Sequence, residues 1–255
     1  MFKLLKYSLY DIVKSRFAIL YTLFMVLVTV SIYQISEDLS KVSLSLLNIM
    51  LMIVPLISAV FATTHFFNNL EFTELMLAQP VKRRDVFLSQ LLAVIIMLSL
   101  AILIGIGLPM AIWGAESSLL VLLAAGIALS IVFAGLAFLA SVLTRDKAKA
   151  IGITLSFWIY FSLVYDGLVL YVIYSFADYP LEKATLAMVM LNPVDLARII
   201  MLMQLDISAL MGYTGAFFQQ FFGSAKGIML TSGVLLIWMV WPVLLSMRIF
   251  KKKDF

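Results

Sequence analysis

Six long apolar runs, five of them free of charged residues, decide what this chain can fold into. They lie at about Phe17 to Tyr33, Val42 to Ala62, Val86 to Trp113, Leu119 to Leu143, Ala150 to Phe176 and Gly227 to Met247, and only the fifth carries a charged side chain, Asp166. A helix needs about 20 residues to cross a hydrocarbon core about 30 Å thick, and these runs match that length. A soluble domain would show apolar residues in stripes at helical or strand spacing instead. Composition agrees: 64% of the 255 residues are hydrophobic and 13% charged, whereas soluble domains hold about 45–50% apolar and about 25% charged residues. Lipid is the solvent for most of this surface. Inside it every backbone polar group must be satisfied within the chain, so the fold class is an all-α membrane protein with six transmembrane helices.

The charges outside the runs set the orientation. With the N-terminus in the cytoplasm, the inner segments hold Lys3, Lys6, Lys14 and Arg16, then Lys82 to Arg84, then Arg145, Lys147 and Lys149, then Arg248 and Lys251 to Lys253. Only Lys41, Lys183, Arg198 and Lys226 of the 18 basic residues fall outside, which is the positive-inside bias of a chain with both ends in the cytoplasm. The net charge of +4 is a topology signal and not a nucleic-acid footprint. The chain has no cysteine, which removes disulfides, thiolate ligands and thiol nucleophiles. No small-x-small cleavage site stands before Glu37, so the first run is expected to stay attached as a span.

We read the chain as a single transmembrane domain, 1–255, with three segments off the spans. Residues 1–16 form a surface helix with Phe2, Leu5, Leu9, Ile12 and Val13 on one side and Lys3, Asp11 and Lys14 on the other. Residues 64–85 form a cytoplasmic loop, and residues 177–226 an external segment. The external segment is apolar yet holds Asn192, Pro193, Asp195, Arg198, Gln204 and Asp206. Keeping the C-terminal lysines inside requires that it cross the membrane twice or not at all. Short helices broken at Asn192-Pro193 and near Gly212 to Gly215, re-entrant or lying outside, satisfy that parity, as does a full hairpin.

No phosphate loop, zinc-protease motif or nucleophile elbow is present, and the single histidine, His65, reads as an interfacial polar residue at the end of the second span. Catalytic residues are therefore none, and no cofactor is expected on this chain. Asp166 costs about 2.5–3.5 kcal/mol on insertion scales and must face protein or water. Either it is a protonated or hydrogen-bonded packing contact, with the Ser162 hydroxyl one turn earlier as a candidate partner, or it serves a substrate path or a hinge beside Gly167. The external methionines Met188, Met190, Met201, Met203 and Met211 are either gap fillers or soft ligands for Cu(I), with Met201 and Met203 the weak metal candidates. Gly126, Ser130 and Ala134 recur every four positions and allow close helix approach, within or between protomers.

The loop run Glu71-Phe72-Thr73-Glu74-Leu75-Met76-Leu77-Ala78-Gln79-Pro80-Val81-Lys82-Arg83-Arg84 holds a short amphipathic helix stopped by proline and followed by a basic cluster. It either rests on lipid or docks into a groove of a cytoplasmic protein. Its Glu74 to Val81 stretch resembles the Glu-Leu-Leu-Leu-x-x-Pro-Val pattern in the first cytoplasmic loop of ABC-2 type permeases, the membrane subunits of ATP-binding-cassette transporters. The resemblance extends to the surface helix, the six spans and the external Asn192-Pro193-Val194-Asp195-Leu196-Ala197-Arg198. It implies a cytoplasmic ATPase partner carrying ATP and magnesium, a permease homodimer, a bacterial inner membrane, and ATPase coupling through Glu71, Glu74, Leu75, Leu77, Pro80 and Arg83. Within the superfamily the strings Glu71 to Leu75, Tyr165-Asp166-Gly167, Leu191 to Leu196 and Leu205 to Ala216 are most similar to the permeases of nitrous oxide reductase maturation. That likeness implies a periplasmic partner involved in copper-site assembly, meeting Asn192, Pro193, Asp195, Arg198 and Asp206. The alternatives are a general ABC-2 exporter of lipid, drug or ion, and a gradient-driven transporter, which usually needs inverted repeats and more intramembrane charges.

Overall fold

The computed structural model describes residues 2–36, 38–114, 117–176, 179, 181–204 and 225–253, and every regular element among them is helical. Six helical runs among these residues are long and apolar enough to cross a membrane: Arg16–Ile35, Leu39–Asn68, Arg83–Trp113, Ser117–Leu143, Lys147–Ser175 and Met229–Lys252. The elements are α1 (Phe2–Val13), α2 (Arg16–Ile35), α3 (Leu39–Asn68) and α4 (Leu70–Leu77), then the third span as α5 (Arg83–Ile102) and α6 (Leu108–Trp113). There follow α7 (Ser117–Leu143), the fifth span as α8 (Lys147–Ile159) and α9 (Tyr165–Ser175), the pair α10 (Glu182–Met190) and α11 (Pro193–Gln204), and α12 (Ala225–Lys252).

The fourth span, α7, is the hub: 72% of its most apolar window is buried, against 11% for the fifth span. It packs on α3, α5, α8, α11 and α12. The small-residue stripe serves this packing inside the chain. Gly126 faces Met50 and Ile102, while Ser130 and Ala134 are fully buried. A further glycine of α7, Gly135, lets Pro242 and Val243 of α12 approach. Hydroxyl pairs join the spans where no water can, Ser43 with Ser118 and Thr63 with Thr154, each 3.0 Å apart.

Two spans widen into π-helical turns. In the third, over Leu103–Gly107, Pro109 has no N–H for the Gly105 carbonyl and its ring crowds that oxygen, so the turn opens. Gly105 in this turn lies directly against Met25 of α2. In the fifth, over Tyr160–Val164, the Tyr165 N–H reaches back to the Tyr160 carbonyl. The Phe161 carbonyl accepts from Asn192 Nδ2 at 2.9 Å.

Three expectations change. The second span runs on to Asn68, because Thr64 to Asn68 contain no helix breaker, so the first part of the 64–85 loop is helical. The inward face of α1 is Leu5, Ser8, Leu9 and Ile12, leaving Phe2 and Val13 exposed, because α1 lies on α5 and its inward stripe is narrower than its apolar set. His65 is buried, 8% exposed, beside Phe61 and bonded to the Asn69 amide, and does not reach outward. The expected break between α10 and α11 is present as a 111° bend at Leu191-Asn192, while Gly212 to Gly215 lie outside the described residues.

Candidate functional sites at the two ends of the bundle

The basic clusters gather at one end, around α1, α4, the start of α5 and the end of α12. Four fully buried rings, Phe66, Phe87, Phe138 and Phe250, pack there, mostly edge to face, and lock α3, α5, α7 and α12 together. Arg83 donates to the carbonyls of Lys251 and Lys253 at 3.1 and 2.8 Å, a cationic cap on the end of α12. Lys253 Nζ donates to the carbonyls of Val142 and Thr144 at 2.8 and 2.6 Å, and burial together with nearby Arg145 holds its ammonium below the usual lysine range. In the adjoining turn Asp146 accepts from the Lys149 N–H, which caps α8 and keeps this carboxyl below the usual range.

On this rigid end sits α4. Its inner side is anchored by the buried Thr73, which donates to the Asn69 carbonyl at 2.7 Å and accepts from Gln90 Nε2 of α5 at 2.7 Å. Phe72 stacks on Tyr7 of α1, with centroids 5.3 Å apart. Glu71, Glu74, Leu75 and Ala78 are exposed at helical spacing, so one face of α4 presents two carboxylates and an apolar side chain outward. Pro80 is exposed just beyond. Leu77 turns inward onto the core, and Arg83 caps α12, so these two are not on that face. Thr73→Val keeps the shape but leaves the buried Gln90 amide without its acceptor. We expect a loss of about 1–3 kcal/mol, read as a lower melting temperature of the purified protein.

At the opposite end the sequence-distant Asp166 and the Asn192 motif meet. Asn192 Oδ1 accepts from the Val194 N–H at 3.0 Å, capping α11, and Pro193 fills the first helical position, where its missing N–H costs nothing. The Asn192 amide donates both to the Phe161 carbonyl and to Asp195 Oδ2, each at 2.9 Å. Arg198, one turn on, bridges Asp195 Oδ1 and Asp166 Oδ2 at 3.0 Å each. The partner of Asp166 is thus Arg198 and not Ser162, whose hydroxyl finds no bond among the described residues. Asp195 is nearly buried, while Asp166 and Arg198 keep about a third of their side chains exposed (32% and 34%). Tyr165 donates to the Met188 carbonyl at 2.6 Å, tying α10 to the same span. One guanidinium thus serves two carboxyl groups.

Met201 is 2% exposed and belongs to the apolar core, so its thioether packs against protein. Met203 lies on the last turn of α11, and Asp206 and Met211 lie outside the described residues. The residue that spacing could not supply is Gln90, an unremarkable polar position in an apolar run.

Among the described residues, six apolar spans packed about a buried hub, with a short exposed helix at the basic end and a sharply bent helix pair at the other, define a multi-pass membrane protein. The model of the ABC-2 family transporter protein family matches residues 3–255, and the chain belongs to that family, whose permeases work with an ABC ATPase. No curated protein matches the chain.

Proposed function

We propose that this chain is the permease subunit of an ABC complex for copper-site maturation of nitrous oxide reductase, driven by ATP hydrolysed on its partner and acting on a periplasmic protein. The observation that carries the coupling role is the exposed Glu71, Glu74, Leu75 face of a helix pinned to the third span through Thr73 and Gln90. A helix so anchored passes force to the spans when an ATPase groove grips its outer side. The maturation assignment is supported by the family strings around Asp166 and Asn192. In this reading both termini lie in the cytoplasm of a bacterial inner membrane. The chain is not itself an enzyme, ATP and magnesium sit on the ATPase, and two copies of the permease pair. The exposed fifth span, with Gly152 and Gly167 bare of neighbours, supports a second copy there.

The test is gentle solubilisation of the C-terminally tagged protein and identification of what co-purifies. One ATPase and one periplasmic protein are expected. The ATPase alone would favour the general exporter, and no ATPase from several mild detergents would sink the coupling role. Glu74→Lys with Leu75→Glu, both outward, should abolish ATPase recovery without moving the melting temperature. Recovery at wild-type level would remove α4 as the docking element. Because the chain has no cysteine, a single cysteine placed at Thr144 or at Tyr179 and probed with an impermeant maleimide on intact cells reports the orientation directly. Labelling is expected at position 179 alone.

A further inference from the structure

Beyond the coupling role, we propose that α1, α2 and the third span form a binding site for one anionic phospholipid. An apolar groove of about 410 Å³ runs between α2 and the third span, lined by Val13, Ile19, Leu23, Leu100 and Ile104 among others. That volume falls within the range of small-ligand pockets, about 300–1,000 Å³. All five of these residues are exposed, so the groove opens sideways from the bundle toward hydrocarbon. Val13 also lines a second hollow, on α1, whose other walls are Lys3, Lys6, Tyr7, Leu9 and Tyr10. None of the described residues that line the hollow is acidic. An acyl-chain slot therefore continues into a patch of two ammonium groups and two phenols.

The chemistry of this surface selects its occupant. Lysine and tyrosine at the end of an apolar span are the residues that sit at headgroup level, and each lysine near an anionic headgroup favours it electrostatically. A zwitterionic lipid offers the same chains without the net charge, and free phosphate offers the charge without the chain. Only an anionic phospholipid satisfies both halves of the groove. Tyr7, in the headgroup patch, is also the ring that stacks on Phe72 of α4, so the site adjoins the element that meets the ATPase.

The experiment is native mass spectrometry of the full-length protein in detergent, titrated with phosphatidylglycerol or phosphatidylcholine of identical chains. This readout does not depend on the ATPase or on membrane orientation, so its failure would leave the coupling role untouched. The wild type should retain phosphatidylglycerol over phosphatidylcholine by about tenfold. Lys3→Gln with Lys6→Gln should remove the preference and leave binding at the phosphatidylcholine level. Ile19→Trp, a bulky side chain at an exposed position, should displace both lipids. Glycerol phosphate should not compete. Equal retention of the two lipids by the wild type, or a preference that survives loss of both lysines, would overturn the site. So would lipid-free dimers broken by Ile19→Trp, which would assign the groove to a second copy of the chain.

Discussion

Arg198→Ala should destabilise the protein by about 2 kcal/mol, and removing Asp166 from that variant should recover part of the loss. Breaking a buried ion pair costs about 3–5 kcal/mol, because a charge is left without its partner. Here Arg198 and Asp166 each keep about a third of the side chain exposed, so solvent screens part of that cost. Without the guanidinium, Asp195 and Asp166 face each other across a poorly hydrated site with no cation between them, an arrangement that disfavours two carboxylates. Asp166→Asn alone removes half of a favourable bridge and should cost about 1 kcal/mol, whereas in the Arg198→Ala background the same change relieves repulsion and should raise stability. The check is a double-mutant cycle on melting temperature in detergent, where 2 kcal/mol corresponds to about 4–8 °C for a chain of this size. Additive losses would mean that the three charges do not act as one network. The same cycle read on complex activity would separate a structural bridge from a working one, since the bridge joins the Tyr165–Met188 and Asn192–Phe161 bonds in holding the bent pair α10–α11 to the fifth span.

Gly105→Ala should cost about 3 kcal/mol, unusually much for one added methyl group. A Cβ built there falls 2.4 Å from Met25 Cβ and 3.4 Å from the Met25 carbonyl carbon. A collision with a Cβ cannot be relieved by turning a rotamer, so α2 and the third span must separate, and in lipid these helices are held mainly by close packing. The rescue is equally specific. Met25→Gly removes the colliding atom and should restore part of the stability despite about 1 kcal/mol for glycine in a helix, while Met25→Ala keeps that atom and should not. Gly126 is the control. Its added Cβ would collide only with the far end of the flexible Met50 side chain, Ile102 standing at ordinary contact distance, so Gly126→Ala should be far milder. Equal effects at the two glycines would refute the distinction between a rigid and a yielding contact.

Local chemistry alone determined the all-α class, the six spans, the positive end, the short helix before Pro80 and the break at Asn192-Pro193. Each depends on residues adjacent in the chain: apolar length against bilayer thickness, charge beside a span, and proline's missing donor. Family likeness followed from strings of the same local kind. Tertiary structure decided what those residues touch. Asp166 carried its cost in the sequence, but its partner stands 32 residues away and meets it only because α11 folds back onto the fifth span. The resemblance implied a coupling role for Arg83 and Leu77, and the structure adds that Arg83 also bonds the end of α12 while Leu77 packs on the core. Gly105 gave no signal at all, since its role is to have no side chain where another helix passes. Cross-helix partners and close approaches depend on how helices far apart in sequence pack, and helical periodicity describes only one helix at a time.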